Sequence, residues 1–202
     1  MPVTHLHIEA SSYCNARCPG CPRNAYGYPL EGFYKQAHLP PSRLEEILQE
    51  FPAVESILYC GNHGDPMMSP YIVDLCPDNI EVSIATNGGI GRISDYEQLA
   101  RKKVQITFGI DGLKDTNHLY RQGVLWNNLM ERVEAFISAG GKAIWQFIKF
   151  KHNMDQVEQA KHLSEKLGFK GFFDMDVGRN NMPAIQSDKS IALVTPQNKE
   201  LH

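Results

Sequence analysis

Three cysteines, Cys14, Cys18 and Cys21, stand within eight residues of a 202-residue chain whose two other cysteines, Cys60 and Cys76, are isolated. Their spacing is C-x3-C-x2-C. Pro19 and Pro22 keep this stretch out of a regular helix, so the three thiolates can curl around one centre. A cubane [4Fe-4S] cluster normally takes four cysteines, and three leave one iron open to something other than protein. A catalytic zinc likewise keeps one position free. The alternative is a zinc site completed by a histidine, His5 or His7. Both lie inside the preceding strand, at poor reach for a closed tetrahedral knuckle.

The triplet directly follows an apolar, strand-like run, "VTHLHIEA". Further strands are predicted at "ESILYC", "IEVSIATN", "VQITFGID", "KAIWQFIKF" and "FKGFFDMD", with helices between them. Ser42 with Glu45 and Ser94 with Glu97 read as capping boxes. Ser69 before Pro70 and Asn153 with Gln156 read as further helix starts, and Gly140-Gly141 as a helix stop. Regular strand–helix alternation means a parallel α/β sheet, and the triplet is then at the C-terminal end of its first strand, where such folds bind ligands.

Buried parallel strands are usually apolar on both faces. Here one phase is polar: His5, His7, Glu9 and Ser11 in the first strand, Glu81, Ser83 and Asn87 in the third, Gln105, Thr107 and Asp111 in the fourth, and Gln146 in the fifth. The expected architecture is a partial (βα)6 TIM-like barrel with parallel strands, helices outside and a polar lumen that holds a ligand. Residues 1–176 form this core, and 177–202 read as a C-terminal tail with one short strand at Ile191 to Val194.

On these residues the chain resembles the radical S-adenosylmethionine (radical SAM) superfamily. After Cys14, Cys18 and Cys21, the stretch "GNHGDP" resembles the family's glycine-glycine-glutamate motif, which holds the methionine amino group. "TNGG" follows the third strand as in many members, and "GIDG" resembles the S-x-D-G segment near the ribose. The resemblance covers roughly residues 3 to 176. Within it the chain is similar to iron-sulfur oxidoreductases related to peptide maturases, whose cores often precede a cysteine-rich (SPASM-type) C-terminal domain. The tail here has no cysteine, so one cluster is expected, with Cys60 and Cys76 as small buried hydrophobes. Three positions depart from the pattern. Gly20 replaces an aromatic that packs on adenine, Asp65 replaces the motif glutamate, and Gly109 replaces a ribose-contacting serine.

The resemblance implies two cofactors, a [4Fe-4S] cluster on Cys14, Cys18 and Cys21 and S-adenosyl-L-methionine (SAM) on its open iron. It implies reductive cleavage of SAM to methionine and a 5′-deoxyadenosyl radical, which abstracts hydrogen from a substrate. Gly61, Asn62, His63, Gly64 and Asp65 are expected around the zwitterionic end of SAM, and Arg121 at its carboxylate. Asn87 and Asp111 end strands on the polar phase. Asp111 either accepts the ribose hydroxyls or caps a turn. Gln146 is expected in the lumen, and His7, Glu9, Asp174 and Asp176 are substrate-contact candidates. His118, His152 and His162 read as surface helix residues. An external electron donor such as flavodoxin or ferredoxin is implied. A peptide, nucleobase, sugar nucleotide or RNA would each suit the reaction. Two other readings are a degenerate core that binds both cofactors and acts as a partner or regulator, and a structural metal-binding module.

Composition sets the outer bounds. With 42% hydrophobic and 21% charged residues, the chain has enough apolar content for one globular domain. A formal net charge of −3 gives no electrostatic case for bulk nucleic-acid binding. The basic run Arg101-Lys102-Lys103 reads as a helix terminus, where cations suit the dipole. No stretch is long and apolar enough to span a membrane, and the N-terminus lacks the apolar core of a signal peptide. The expected location is a reducing cytoplasm, where cysteines serve metals or catalysis and not disulfides.

Overall fold

A computed structural model describes residues 1–21, 23–25, 28–29, 36–176, 182–185 and 191–194. In chain order, β1 (His5–Ile8) leads into the cysteine segment and a small antiparallel pair, β2 (Asn24–Ala25) and β3 (Tyr28–Pro29). Then come α1 (Pro41–Glu50), β4 (Ser56–Tyr59), a 3-10 turn at Pro66–Met68, β5 (Glu81–Thr86), α2 (Ile93–Arg101) and β6 (Gln105–Gly109). They are followed by α3 (Asn117–Tyr120), α4 (Trp126–Ser138), β7 (Lys142–Ile148), α5 (Val157–Leu167) and β8 (Gly171–Met175). An antiparallel hairpin of β9 (Met182–Ile185) and β10 (Ile191–Val194) lies in the segment expected to be a tail. The strand expected at 191–194 is present, with 182–185 as its partner.

The six long strands form one parallel sheet in the order β1-β4-β5-β6-β7-β8, with β1 and β8 as its two edges. This is the α/β partial barrel expected from the alternation. The register runs straight across it: Ile84 pairs with Ile106, Ile106 with Ala143, and Trp145 with Phe172. That phase faces the helices. Ile84, Ile106, Phe108, Trp145 and Phe147 are fully buried, packed in one core with Tyr96 and Leu99 of α2 and Leu129, Val133 and Phe136 of α4. Phe108 is central, with Phe136 edge-on at 6.0 Å and Phe169 edge-on at 6.0 Å. Each such side chain taken out of water contributes about 1.5–3 kcal/mol.

The opposite phase faces the lumen and is half-exposed in β5 and β6 (Ser83, Ala85, Gln105, Thr107). It is not polar throughout: Leu58 of β4 and Phe173 of β8 stand on it, 37% and 40% exposed.

Several helix starts differ from the sequence reading. The N-caps of α1 and α2 are Pro40 and Arg92, both with extended backbone and neither with a side-chain capping bond. Ser42 and Ser94 therefore lie inside the first turn. At α2 the charge pair Arg92–Asp95 (2.8 Å) takes the role expected of the capping box. Ser69 starts no helix: its Oγ accepts from the Tyr71 backbone N–H two residues on, and 70–75 stays in turns. Asn153 heads a 3-10 turn before α5, and its side chain is spent elsewhere, accepting from the Phe150 N–H at 2.7 Å. The stop at Gly140 holds, with φ +89° just after α4, and α2 closes at Arg101 with Lys102 as its C-cap.

Candidate active site

The cysteine segment leaves β1 and is held from several directions. Ser12 N–H donates to the Ala37 carbonyl (3.0 Å), Arg17 N–H to the Gln122 carbonyl (2.8 Å), and Asp65 N–H to the Tyr13 carbonyl (2.7 Å). Gly64 makes that last contact possible, because a Cβ there would overlap the Ser11 carbonyl. The loop after β4 is thus seated on the backbone immediately before Cys14. Cys14, Cys18 and Cys21 all line one cleft of about 230 Å³ at the C-terminal ends of the strands. Asn62, Asn87, Arg121 and Gln146 line it too.

One wall is built on Asp65, which is 3% exposed. Its Oδ1 accepts from the Met67 N–H (3.0 Å) and the Thr86 hydroxyl (2.8 Å), and its Oδ2 from the Asn87 N–H (2.8 Å). The carboxyl ties the loop after β4 to the end of β5. Burial pushes its pKa upward against these donors. Asn87 is thereby aimed at the cysteines: its Nδ2 donates to Asn15 Oδ1 (2.9 Å) and approaches Cys14 Sγ at 3.8 Å.

The other wall is built on Asp111, which is fully buried. Its Oδ1 accepts from the Ile148 N–H (2.7 Å), and its Oδ2 pairs with Arg121 Nε at 2.6 Å. The guanidinium lies 4.0 Å, through Nη1, from Cys18 Sγ. It occupies space opened by Gly109, where a Cβ would meet Arg121 Nη2 at 2.5 Å. The serine-to-glycine departure at 109 therefore has a local steric reason: the arginine fills that volume.

The donor set suits an iron-sulfur cluster. Thiolate ligands need donors around the sulfur, and here Ala16 N–H (3.4 Å) and Asn87 serve Cys14, while Arg121 faces Cys18. The three thiols also feel one another: a charge on Cys18 raises Cys14, and one on Cys21 raises Cys18. Burial, then the nearby Asp65 charge, pushes Cys14 up to about 12 in the metal-free protein. Burial also raises Cys18, with Arg121 opposing it. Loading must therefore displace protons from these thiols. Among the described residues no three His, Cys, Asp or Glu side chains converge on a point for a single metal ion.

Of the residues singled out by sequence, Cys14, Cys18, Cys21, Gly61, Asn62, Gly64, Asp65, Asn87, Arg121 and Gln146 are brought together around the cleft. His63 is exposed and does not line it, and Asp111 lies behind Arg121. Asp174 pairs with Lys149 (2.5 Å) and, in register with Phe147, stands on the phase opposite the lumen; Asp176 follows the end of β8 and does not line the cleft. His118 and His162 are exposed helix residues as expected, whereas His152 is in a turn, half-buried against Phe150. Sequence reasoning missed Cys60. It lines the cleft, and its position one step beyond Leu58 on the lumen phase was the available signal.

The profile of the radical SAM superfamily matches residues 8–170. The chain therefore belongs to the radical SAM superfamily, whose members bind a [4Fe-4S] cluster and SAM, and these are its cofactors. No curated protein matches it significantly. Among solved structures, Streptococcus suis SuiB bound to S-adenosylmethionine superposes with a TM-score of 0.71 at 20% identity, covering 96% of this chain and 44% of SuiB. The enzyme anSMEcpe with bound AdoMet gives 0.64 at 19%, covering 87% and 52%. Methylornithine synthase (PylB) gives 0.61 at 11%, covering 87% and 54%. The chain spans about half the length of these relatives, and at such identities the likeness speaks for the fold. Among the described residues no helix is long and apolar enough to cross a membrane.

Proposed function

We propose that this chain is a radical SAM enzyme of oxidoreductase or lyase type, acting in the cytoplasm with a flavodoxin- or ferredoxin-class electron donor. The observation that carries the reading is the shared cleft. Three cysteines from the loop after β1 meet there with the loop after β4, the end of β5 and Arg121. When bound, the reduced cluster and SAM supply one electron and a cleavable carbon–sulfur bond, giving methionine and a 5′-deoxyadenosyl radical that takes hydrogen from a substrate carbon.

The chain's own residues bind, orient and exclude water. Cys14, Cys18 and Cys21 would hold the cluster. Asn87, the Ala16 N–H and Arg121 direct hydrogen-bond donors or positive charge at two of the sulfurs. With Nε committed to Asp111, Arg121 keeps Nη1 and Nη2 on the cleft side, where a carboxylate is recognised. The 61–65 loop offers backbone groups beside Cys14, while the Asp65 carboxyl is already engaged by three protein donors.

The test is anaerobic reconstitution with iron and sulfide, followed by dithionite and SAM, with 5′-deoxyadenosine read by mass spectrometry. The expected result is 5′-deoxyadenosine from the wild type and none from Cys18→Ala. A full cluster without 5′-deoxyadenosine would mark a chain that binds its cofactors and acts as a partner or regulator.

A further inference from the structure

Along the chain Cys60 is an isolated thiol. In the fold it belongs to the cleft. The register His7 to Leu58, carried one pleat further, brings Glu9 beside Cys60 on the lumen phase. The contacts agree: Cys60 Sγ donates to Glu9 Oε1 at 3.0 Å, and Asn62 N–H donates to the same oxygen at 3.2 Å. Asn62 Nδ2 donates to the Cys60 sulfur at 3.6 Å. Glu9 Oε2 is buried and has no hydrogen-bond partner among the described residues. Cys76 differs in each respect. It is 1% exposed in the core, donates to the Ile72 carbonyl, and does not line the cleft.

Burial, followed by Glu9, pushes the Cys60 thiol up to about 12. With Glu9 as its acceptor, Cys60 keeps its S–H bond at neutral pH. What a retained S–H does well is give a hydrogen atom to a carbon radical, because it is weaker than the C–H bond formed. This cleft, on the reading above, generates such radicals.

We propose that Cys60 returns a hydrogen atom to the substrate radical, with Glu9 as its proton relay; this replaces the oxidoreductase or lyase type proposed above with a reaction whose product is an epimer or isomer of the substrate. The S–H bond breaks homolytically, the hydrogen atom forms a C–H bond at the substrate carbon, and a neutral thiyl radical remains on Cys60. One electron from the ferredoxin- or flavodoxin-class donor reduces it to the thiolate, and one proton from solvent through Glu9 restores the thiol. Net of that electron and proton, the substrate has lost and regained one hydrogen.

The inference rests on the radical SAM reading, and one experiment separates the two. Cluster-loaded protein is given SAM and dithionite in D2O without substrate, so that Cys60 carries deuterium and is the nearest transferable atom. Deuterium in the 5′-deoxyadenosine, absent with Cys60→Ala and with the near-isosteric Cys60→Ser, is the expected result. Deuterium-free 5′-deoxyadenosine from the wild type, or equal labelling in both variants, overturns the Cys60 role alone. No 5′-deoxyadenosine from a loaded protein defeats the parent reading and this one with it. A second readout needs no cofactor. The infrared S–H band lost in Cys60→Ala is expected at lowered frequency and should rise in Glu9→Gln; a band insensitive to Glu9→Gln overturns the relay.

Discussion

Asp65 and Asp111 are both buried carboxyls at the mouth of the same cleft, and they are satisfied in opposite ways. Among the described residues Asp65 is held by three neutral donors and no ion pair, and its charge raises the neighbouring Cys14 thiol. Asp111 carries its own countercharge, and its arginine lowers the neighbouring Cys18 thiol. One wall of the site is therefore a carboxyl held by neutral donors, and the other is an ion pair whose cation faces the cleft.

Breaking the charged wall has the largest expected effect. Asp111→Asn leaves Arg121 buried without its countercharge, and losing one partner of a buried pair costs about 3–5 kcal/mol. Urea unfolding of the metal-free protein would register it. On the neutral wall, Asp65→Asn keeps shape but turns an acceptor into a donor facing other donors, at about 1–3 kcal/mol. Both carboxylates raise a neighbouring thiol, so Asp65→Asn should lower the Cys14 titration, read by pH-dependent alkylation, and Asp111→Asn, which leaves Arg121 unopposed, should lower that of Cys18. Gly109→Ala should push Arg121 away from Cys18. The cost is about 1–2 kcal/mol, since the displaced atom is the end of a flexible side chain. Its signature is an altered EPR signal of the reduced cluster.

An effect of similar size lies outside the site. Burial, with His118 adding to it, depresses His152 to about 4 in the folded protein. The unfolded chain takes that proton near pH 6.5, so stability is full above 6.5, falls as pH drops toward 4, and is flat for this group below that. After discounting for partial exposure the loss is about 1–2 kcal/mol. His152→Phe, which keeps a ring against Phe150, should flatten urea-unfolding stability across that window.

The sheet was legible because each strand announces itself twice, by its apolar run and by the polar alternate phase that marks the lumen. The triplet was legible because its chemistry is local in sequence. What escaped was relational. Cys60 looked inert because its partner Glu9 is on a different strand, and only the register brings them together. Asp111 and Arg121 were each noticed, but their pairing depends on the room left by Gly109. The helix starts at Ser42 and Ser94 were misplaced because local pattern does not foresee the extended Pro40 or the Arg92–Asp95 pair.

The central proposal is a cluster held by Cys14, Cys18 and Cys21 with one iron open to SAM. EPR of the anaerobically reconstituted, dithionite-reduced protein tests this most directly, recorded with and without SAM. The predicted result is a cluster signal that changes when SAM is added, persists in Cys60→Ala and Cys76→Ala, and is lost in Cys14→Ala, Cys18→Ala and Cys21→Ala. A signal indifferent to SAM, or one that survives Cys18→Ala intact, would contradict the account.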